Sequence, residues 1–436
     1  MHHPNPFWLL ALLLPVAALA RTVPPADAVR REVDTILGPL EQVYRDLHAS
    51  PELSFDEEKT ATTLAERMRA LGYAVTTGIG KTGVVAVLAN GKGPTVLVRT
   101  DMDALPIVEK TGLPYASTVT APGSGGATVG VMHACGHDVH MSVWLGTATV
   151  LVRLADFWRG TLVMIAQPAE EVGKGARAML DDGLFERFPR PDYALAFHDT
   201  PDLAAGTVGV RPGPIFASSD SLDVRFVGRG GHGALPHTTV DPIVMSARFV
   251  LALQTLVSRE NDPLDPVVVT VGAIHGGTRH NIIPDDVHLQ LTVRTTRQAV
   301  RDRLLAGIER VARSEAAAAA APQPPEIAIS TGLPPVVNDP ALAARVGAAL
   351  RREMGDAAVV EARPMMVSED FALVGQAGVP ALLMLLGAAV PAELDTAQRE
   401  GRSLPALHSP LFAPDVEPTL RTGVTAMSLA VFELLQ

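Results

Sequence analysis

Near the start of the chain, apolar residues recur at helical spacing. Val29, Val33, Ile36, Leu37, Leu40, Val43, Tyr44 and Leu47 share one face of a predicted amphipathic helix. A second helix is predicted over 60–71, stopping at Gly72. The runs 83–89 and 95–99 are short, apolar and bounded by Gly or Pro, which is the pattern of buried strands. A helix over 139–154, a strand over 162–166, a short helix over 176–180 and a strand over 193–197 continue the alternation. Strands alternating with helices predict an α/β domain with a mostly parallel central sheet.

After Gly206 the pattern changes. Strands predicted over 222–227, 267–271, 287–293 and 326–329, with helices over 241–258 and 299–320, follow the order β-α-β-β-α-β of a ferredoxin-like layer. From Pro340 helix and strand alternate again, closing on an amphipathic helix over 420–435. The expected organisation is a main α/β domain in two parts, 25–210 and 329–436, interrupted by a smaller α+β domain over 211–328. A length of 436 residues suits two or three domains at roughly 150 residues each.

Composition changes this picture at two points. Hydrophobic residues make up 47% and charged residues 19%, enough apolar material for an extensive core. The net charge of −11 argues against binding a phosphate backbone, so no nucleic-acid partner is expected. Residues 7–18 form an apolar run too short to span a bilayer comfortably, followed by Ala18-Leu19-Ala20 and then Arg21. That is the pattern of a signal peptide over 1–20, although the segment before the run carries His2 and His3 and no Lys or Arg. The expected location is therefore exported, periplasmic or secreted, with no stable membrane span after cleavage. Cys135 is the single cysteine, which excludes an intramolecular disulfide.

Several candidate ligands fall where predicted strands end. Asp101 and Asp103 follow the strand over 95–99, Glu170 and Glu171 follow 162–166 through Gln167-Pro168-Ala169, and His198 follows 193–197. In open α/β sheets the crevice beyond the carboxyl ends of the strands is the usual active-site location. Cys135 and His137 enter on the same rim, at the start of the helix over 139–154. Each residue taken singly has a plainer reading: Asp101 and Asp103 as loop or capping residues, the Glu pair as solvated charges, His198 and His408 as ordinary histidines. Taken together, thiolate, imidazole and carboxylate are the donors of zinc-like ions. Within the cluster His137 with His140, or His133, remain alternative ligand choices. No His-Glu-x-x-His motif occurs, and the glycines of 228–233 lack the Lys-Ser/Thr of a phosphate loop.

The segments Arg99-Thr100-Asp101-Met102-Asp103-Ala104-Leu105-Pro106, His133-Ala134-Cys135-Gly136-His137-Asp138 and Gln167-Pro168-Ala169-Glu170-Glu171 carry a family resemblance. So do Gly228–His237, Gly276–Pro284 and Ser368-Glu369-Asp370-Phe371. Through these motifs the chain resembles the aminoacyl-amidohydrolase branch of the carboxypeptidase G/aminoacylase metallopeptidases. Hippurate hydrolases and hydrolases of indoleacetyl-amino-acid conjugates belong to that branch. The resemblance covers nearly the whole chain after residue 20. It implies two divalent metal ions (Zn, Mn, Co or Ni) held by Cys135, His137, Glu171, His198 and His408. It makes Glu170 the general base, and has Asp103 orient a ligand. His232 assists the site, from the partner subunit of a homodimer formed through the inserted lid domain, while Asn281 and Arg294 hold substrate.

In the wider family a His-x-Asp motif stands where this chain has Asp101-Met102-Asp103, and the Asp101 form suits the branch that uses cysteine as a ligand. Two departures are Asp199 directly after His198, where a neutral residue is expected, and Gly378-Val379-Pro380-Ala381 without the expected Pro-Gly. The implied activity is hydrolysis of N-acyl-amino acids or related small amino-acid conjugates. An exported dipeptidase or carboxypeptidase shares the metal chemistry. A non-catalytic binding protein on the same fold would be expected to have lost Glu170 or a ligand, and this chain retains them all.

Overall fold

The computed structural model describes residues 26–123 and 126–436. The expected signal peptide lies outside the described residues. Among those residues no helix is long and apolar enough to cross a membrane.

The main sheet has eight strands, in the order Ala74–Ile79, Gly83–Asn90, Gly160–Gln167, Thr95–Asp101, Tyr193–Ala204, Ala381–Ala389, Val208–Val210 and Val359–Glu361. Its centre is parallel, from Gly160–Gln167 through Ala381–Ala389. Antiparallel pairings join the flanking strands to this centre. The central strands are apolar on both faces, as a sheet covered by helices on both sides requires. Along Thr95–Asp101, Val96 and Val98 enter one core and Leu97 the other. Along Gly160–Gln167, Leu162 and Met164 alternate in the same way with Val163 and Ile165. The first core is closed by the helices Ala26–His48, His137–Arg153 and Val416–Leu434. The middle helix is buried nearly all round, so its first residues are delivered into the interior.

The inserted layer is a four-stranded antiparallel sheet, ordered Val267–His275, Asp286–Thr295, Ser219–Val227 and Glu326–Leu333. Helices Pro242–Ser258 and Gln298–Ala318 cover one face through Phe249, Leu253, Leu304 and Ile308. This is the expected ferredoxin-like arrangement. Asp241 caps its first helix by accepting from the Ile243 and Val244 amides, and Pro242 occupies the first turn.

One buried ion cluster ties the first helix to the helix that carries His137. His48 Nδ1 lies 2.6 Å from Asp138 Oδ2 and its Nε2 lies 3.1 Å from Glu109 Oε1. Burial opposes its protonation, but these two carboxylates outweigh that and raise its pKa from 6.5 to about 10. A folded-state pKa above the unfolded one gives stability that is complete below pH 6.5 and lost as pH rises through about 10. His48→Ala should therefore destabilise the metal-free protein by about 3 kcal/mol in urea unfolding, since it strands two buried carboxylates. The gap between wild type and variant should narrow between pH 6.5 and 10. A gap that does not change with pH would rule out a charged His48.

Candidate metal centre

The candidate ligands arrive at the carboxyl edge of the parallel strands, each held by a local constraint. Cys135 and His137 flank Gly136, which adopts φ 72°. A Cβ at that position would lie 2.3 Å from Asp199 Oδ2, so only glycine fits the turn into the helix. His137 Nδ1 donates to the carbonyl of Asp103 at 2.7 Å, which fixes the ring and turns Nε2 toward the cleft. His198 Nδ1 donates to the carbonyl of Asp199 at 2.9 Å, with the same consequence for its Nε2.

Glu170 and Glu171 sit on a tight turn after the strand Gly160–Gln167. The Asp103 carboxylate accepts from both of their backbone amides, at 3.1 and 3.0 Å, and from the Ser54 hydroxyl at 2.6 Å. Buried Glu57 accepts from the Ala169 amide at 2.8 Å. Ala169 itself is left-handed at φ 51°, a strained conformation for a residue with a Cβ. His408 is likewise left-handed at φ 66°, and its amide donates to the Ala134 carbonyl at 2.8 Å. That bond brings a loop from the second part of the main domain onto the loop that carries Cys135.

These constraints bring the donor atoms together. Cys135 Sγ lies 3.6 Å from His198 Nε2 and 3.3 Å from His408 Nε2. His408 Nε2 lies 3.3 Å from Glu171 Oε2, and His137 Nε2 lies 3.9 Å from both Glu170 Oε2 and Glu171 Oε1. Among the donor groups with a spacing suited to a cation, Cys135/His137/His198 and Cys135/Glu171/His408 share the thiol of Cys135, while others include Asp101/His137/His140, His140/His198/Asp199 and His137/Glu170/Glu171. His137 Nε2 and Glu171 Oε1 are buried without a hydrogen-bond partner. Orphaned buried polar atoms facing one another are costly unless a cation joins them, so the residues present fit divalent metal.

His140 has no such freedom. Its Nδ1 lies 2.7 Å from Asp101 Oδ1, and its Nε2 is engaged by Asp199. Those two carboxylates, working against burial, raise its pKa to about 9. Asp199, the unexpected acid after His198, thus serves as the partner of His140. His133 is buried with neither ring nitrogen paired, and burial lowers its pKa to about 4.

The surrounding electrostatics have one organiser that the sequence reading did not single out. The Arg99 guanidinium, fully buried, grips Glu369 with two bonds at 2.8 and 3.1 Å and Asp101 at 2.7 Å. Asp370 accepts from Gln167 Nε2 at 2.6 Å and from the Ala176 amide at 2.8 Å. The Ser368-Glu369-Asp370-Phe371 motif is thus a brace beneath the centre. Burial, then Glu369 and Glu171, push Glu170 well above the usual carboxylate range. Burial and Glu171 push the Cys135 thiol up. His137 rises well above its ordinary value despite burial, chiefly through Asp101 and Asp103.

A cavity of about 780 Å³ opens over this cluster, lined by Cys135, Glu170, Glu171, His198 and His408, with Arg294 and Leu333 from the inserted layer. Phe216, Met365, Val367 and Leu407 supply apolar wall. Arg294 donates to the Met366 carbonyl at 3.0 Å. His137 and Asp103 lie buried beneath. His232 and Asn281 are not among the lining residues; both are exposed and sit together on the inserted layer, where Gly233 donates to the Asn281 carbonyl.

A mixed sheet with Cys, His and Glu donors beyond its parallel strand ends, overhung by a ferredoxin-like layer, defines a hydrolase of the metallopeptidase type. The chain belongs to peptidase family M20/M25/M40, whose model matches residues 97–401. It is 38% identical over 335 residues to the N-acetyl-L-cysteine deacetylase of Bacillus subtilis (strain 168), covering 76% of each chain. It is 41% identical over 264 residues to the hippurate hydrolase of Campylobacter jejuni subsp. jejuni serotype O:2, covering 60% of this chain and 66% of that one. The crystal structure of the Bacillus subtilis YXEP protein, a dinuclear metal binding peptidase of the M20 family, superposes with a TM-score of 0.76 at 30% identity. That match covers 92% of this chain and 99% of the other. The family resemblance read from the motifs is thereby borne out.

Asp103→Asn replaces one acceptor oxygen with a donor that opposes a backbone amide. It should weaken metal affinity about 10–100-fold, the usual effect of losing a ligand-orienting group. Competition against a chromophoric chelator reads this directly, and an unchanged affinity would deny Asp103 that role.

Proposed function

We propose that this protein hydrolyses the amide bond of N-acyl-amino acids or related amino-acid conjugates, using two divalent metal ions and Glu170 as general base. The observation that carries the reading is the pair of donor groups sharing Cys135, with Glu170 facing the same cavity beside them. Cys135, His137, Glu171, His198 and His408 are the proposed ligands, with Cys135 common to both donor groups. Thiolate and imidazole donors favour Zn, Co or Ni, with Mn served by the carboxylates. When bound, the ions polarise the scissile carbonyl and lower the pKa of water.

The remaining steps belong to the chain. Glu170, which faces the cavity beside Glu171, takes a proton from water and returns it to the leaving amine nitrogen. Arg294, half-buried and without a carboxylate partner among the described residues, takes the carboxylate of the amino-acid half. The apolar wall around Phe216 and Met365 receives the acyl group. His232 and Asn281 lie outside the cavity of their own chain, which supports their delivery by a second copy. In that homodimer the partner subunit's His232 donates to the developing oxyanion, and Asn281 helps to hold the substrate. The secretory pattern of residues 1–20 supports export of the chain.

The metal-loaded protein should turn over members of an N-acyl-amino-acid panel in preference to free-amine dipeptides. No turnover by folded, metal-replete protein would defeat the reading, and a preference for dipeptides would move it to a peptidase. Glu170→Gln should keep its metal and lose at least about 100-fold in kcat, while Cys135→Ala should lose metal first. Metal analysis beside steady-state kinetics separates the two. Near-normal kcat in the Gln variant would remove Glu170 from the chemistry.

A further inference from the structure

One wall of the cavity carries more positive charge than an N-acyl-amino acid with a single carboxylate needs. Lys174 and Arg294 both line it. Among the described residues Arg294 is engaged only by the Met366 carbonyl. The Lys174 ammonium makes no ion pair or side-chain hydrogen bond among the described residues. Backbone packing puts the two residues on the same side of the cavity. A Cβ at Gly173 would lie 2.9 Å from Leu333 Cδ1, so the turn carrying Lys174 rests on Leu333. Leu333 pairs with Ser219, and the next residue, Asp220, pairs with Val293 directly before Arg294. Lys174 and Arg294 therefore flank Ser219 on the wall made by the inserted layer.

The acids around the cavity leave this wall positive. Glu170 and Glu171 belong to the metal centre. Asp202 sits where the cavity meets a neighbouring one of about 760 Å³, which Lys174 does not line.

We propose that Lys174 is a specificity-determining residue, selecting substrates whose amino-acid half carries a second carboxylate, as in N-acyl glutamates and aspartates. Arg294 takes the α-carboxylate in its planar fork, and Lys174, a mobile point charge, reaches the side-chain carboxylate. The inference rests on the amidohydrolase reading above and names the substrate class within it. Lys174 is exposed, and its backbone amide bond to the Ala169 carbonyl does not depend on the side chain, so substitutions there leave the Glu170 turn in place.

The test compares N-acetyl-L-glutamate with its near-isosteric neutral partner, N-acetyl-L-glutamine. The ratio of their kcat/KM values is measured on metal-loaded wild type, Lys174→Ala and Lys174→Glu. The ratio of their Kd values is measured by calorimetry on metal-loaded Glu170→Gln, with and without Lys174→Ala, so that binding is read without turnover. Wild type should favour the glutamate conjugate about fivefold or more, the upper range for a partly solvated ion pair. The preference should vanish in Lys174→Ala, reverse in Lys174→Glu, and shrink in about 0.5 M salt. A wild-type ratio near one, or a ratio that Lys174→Ala leaves unchanged, would overturn the assignment. Failure of turnover with the Kd preference intact would instead defeat the proposed reaction and leave the selectivity standing.

Discussion

Asp103 holds both halves of the centre with one residue. Its carbonyl accepts the Nδ1 proton of His137, and its carboxylate accepts the amides of Glu170 and Glu171 together with the Ser54 hydroxyl. The histidine and the glutamate pair come from different elements, a helix start and a strand end, yet neither can move without breaking a bond to Asp103. Asp103 is itself held firm because it follows the strand Thr95–Asp101, whose Arg99 and Asp101 are locked into the buried fork with Glu369. The geometry of the cavity floor is therefore set by hydrogen bonds beneath it and not by the ligands themselves.

The same arrangement accounts for the electrostatics. Asp101, Asp103, Glu170, Glu369 and Asp370 are all buried, as are Arg99, His137 and His140. Burying that much carboxylate is unfavourable without further positive charge. Burial first, and the neighbouring carboxylates after it, raise the Cys135 thiol and the Glu170 carboxyl. A divalent ion lowers both by adding positive charge where the donors converge. Strain at Ala169 and His408, each left-handed, is tolerated because Glu57 and the Ala134 carbonyl fix their amides.

Much of the fold was legible in the sequence, because parallel strands buried on both faces announce themselves as apolar runs, and the candidate ligands follow them directly. The ferredoxin-like order of the inserted layer was readable for the same reason. The flanking strands were harder: Ala74–Ile79 is mostly exposed or half-buried and lacks an apolar run. The strand Tyr193–Ala204 runs well past its apolar start at 193–197, since pairing with Ala381–Ala389 continues beyond it. His137 and His140 looked alike by spacing alone; in the structure Asp101 and Asp199 engage both ring nitrogens of His140, whereas His137 Nε2 has no hydrogen-bond partner. Glu57 had no local signal, and although Arg99 and Glu369 each stand in a quoted motif, nothing local showed that they pair across 270 residues. A charged residue reads as solvated until the fold supplies its partner.

The central claim is that the thiolate of Cys135 ligates the metal. X-ray absorption at the metal edge of the cobalt- or zinc-loaded protein measures it most directly. The account predicts a sulfur scatterer at about 2.3 Å from the metal, alongside nitrogen and oxygen at shorter distance. A shell of nitrogen and oxygen alone, in protein carrying its full complement of metal, would contradict it.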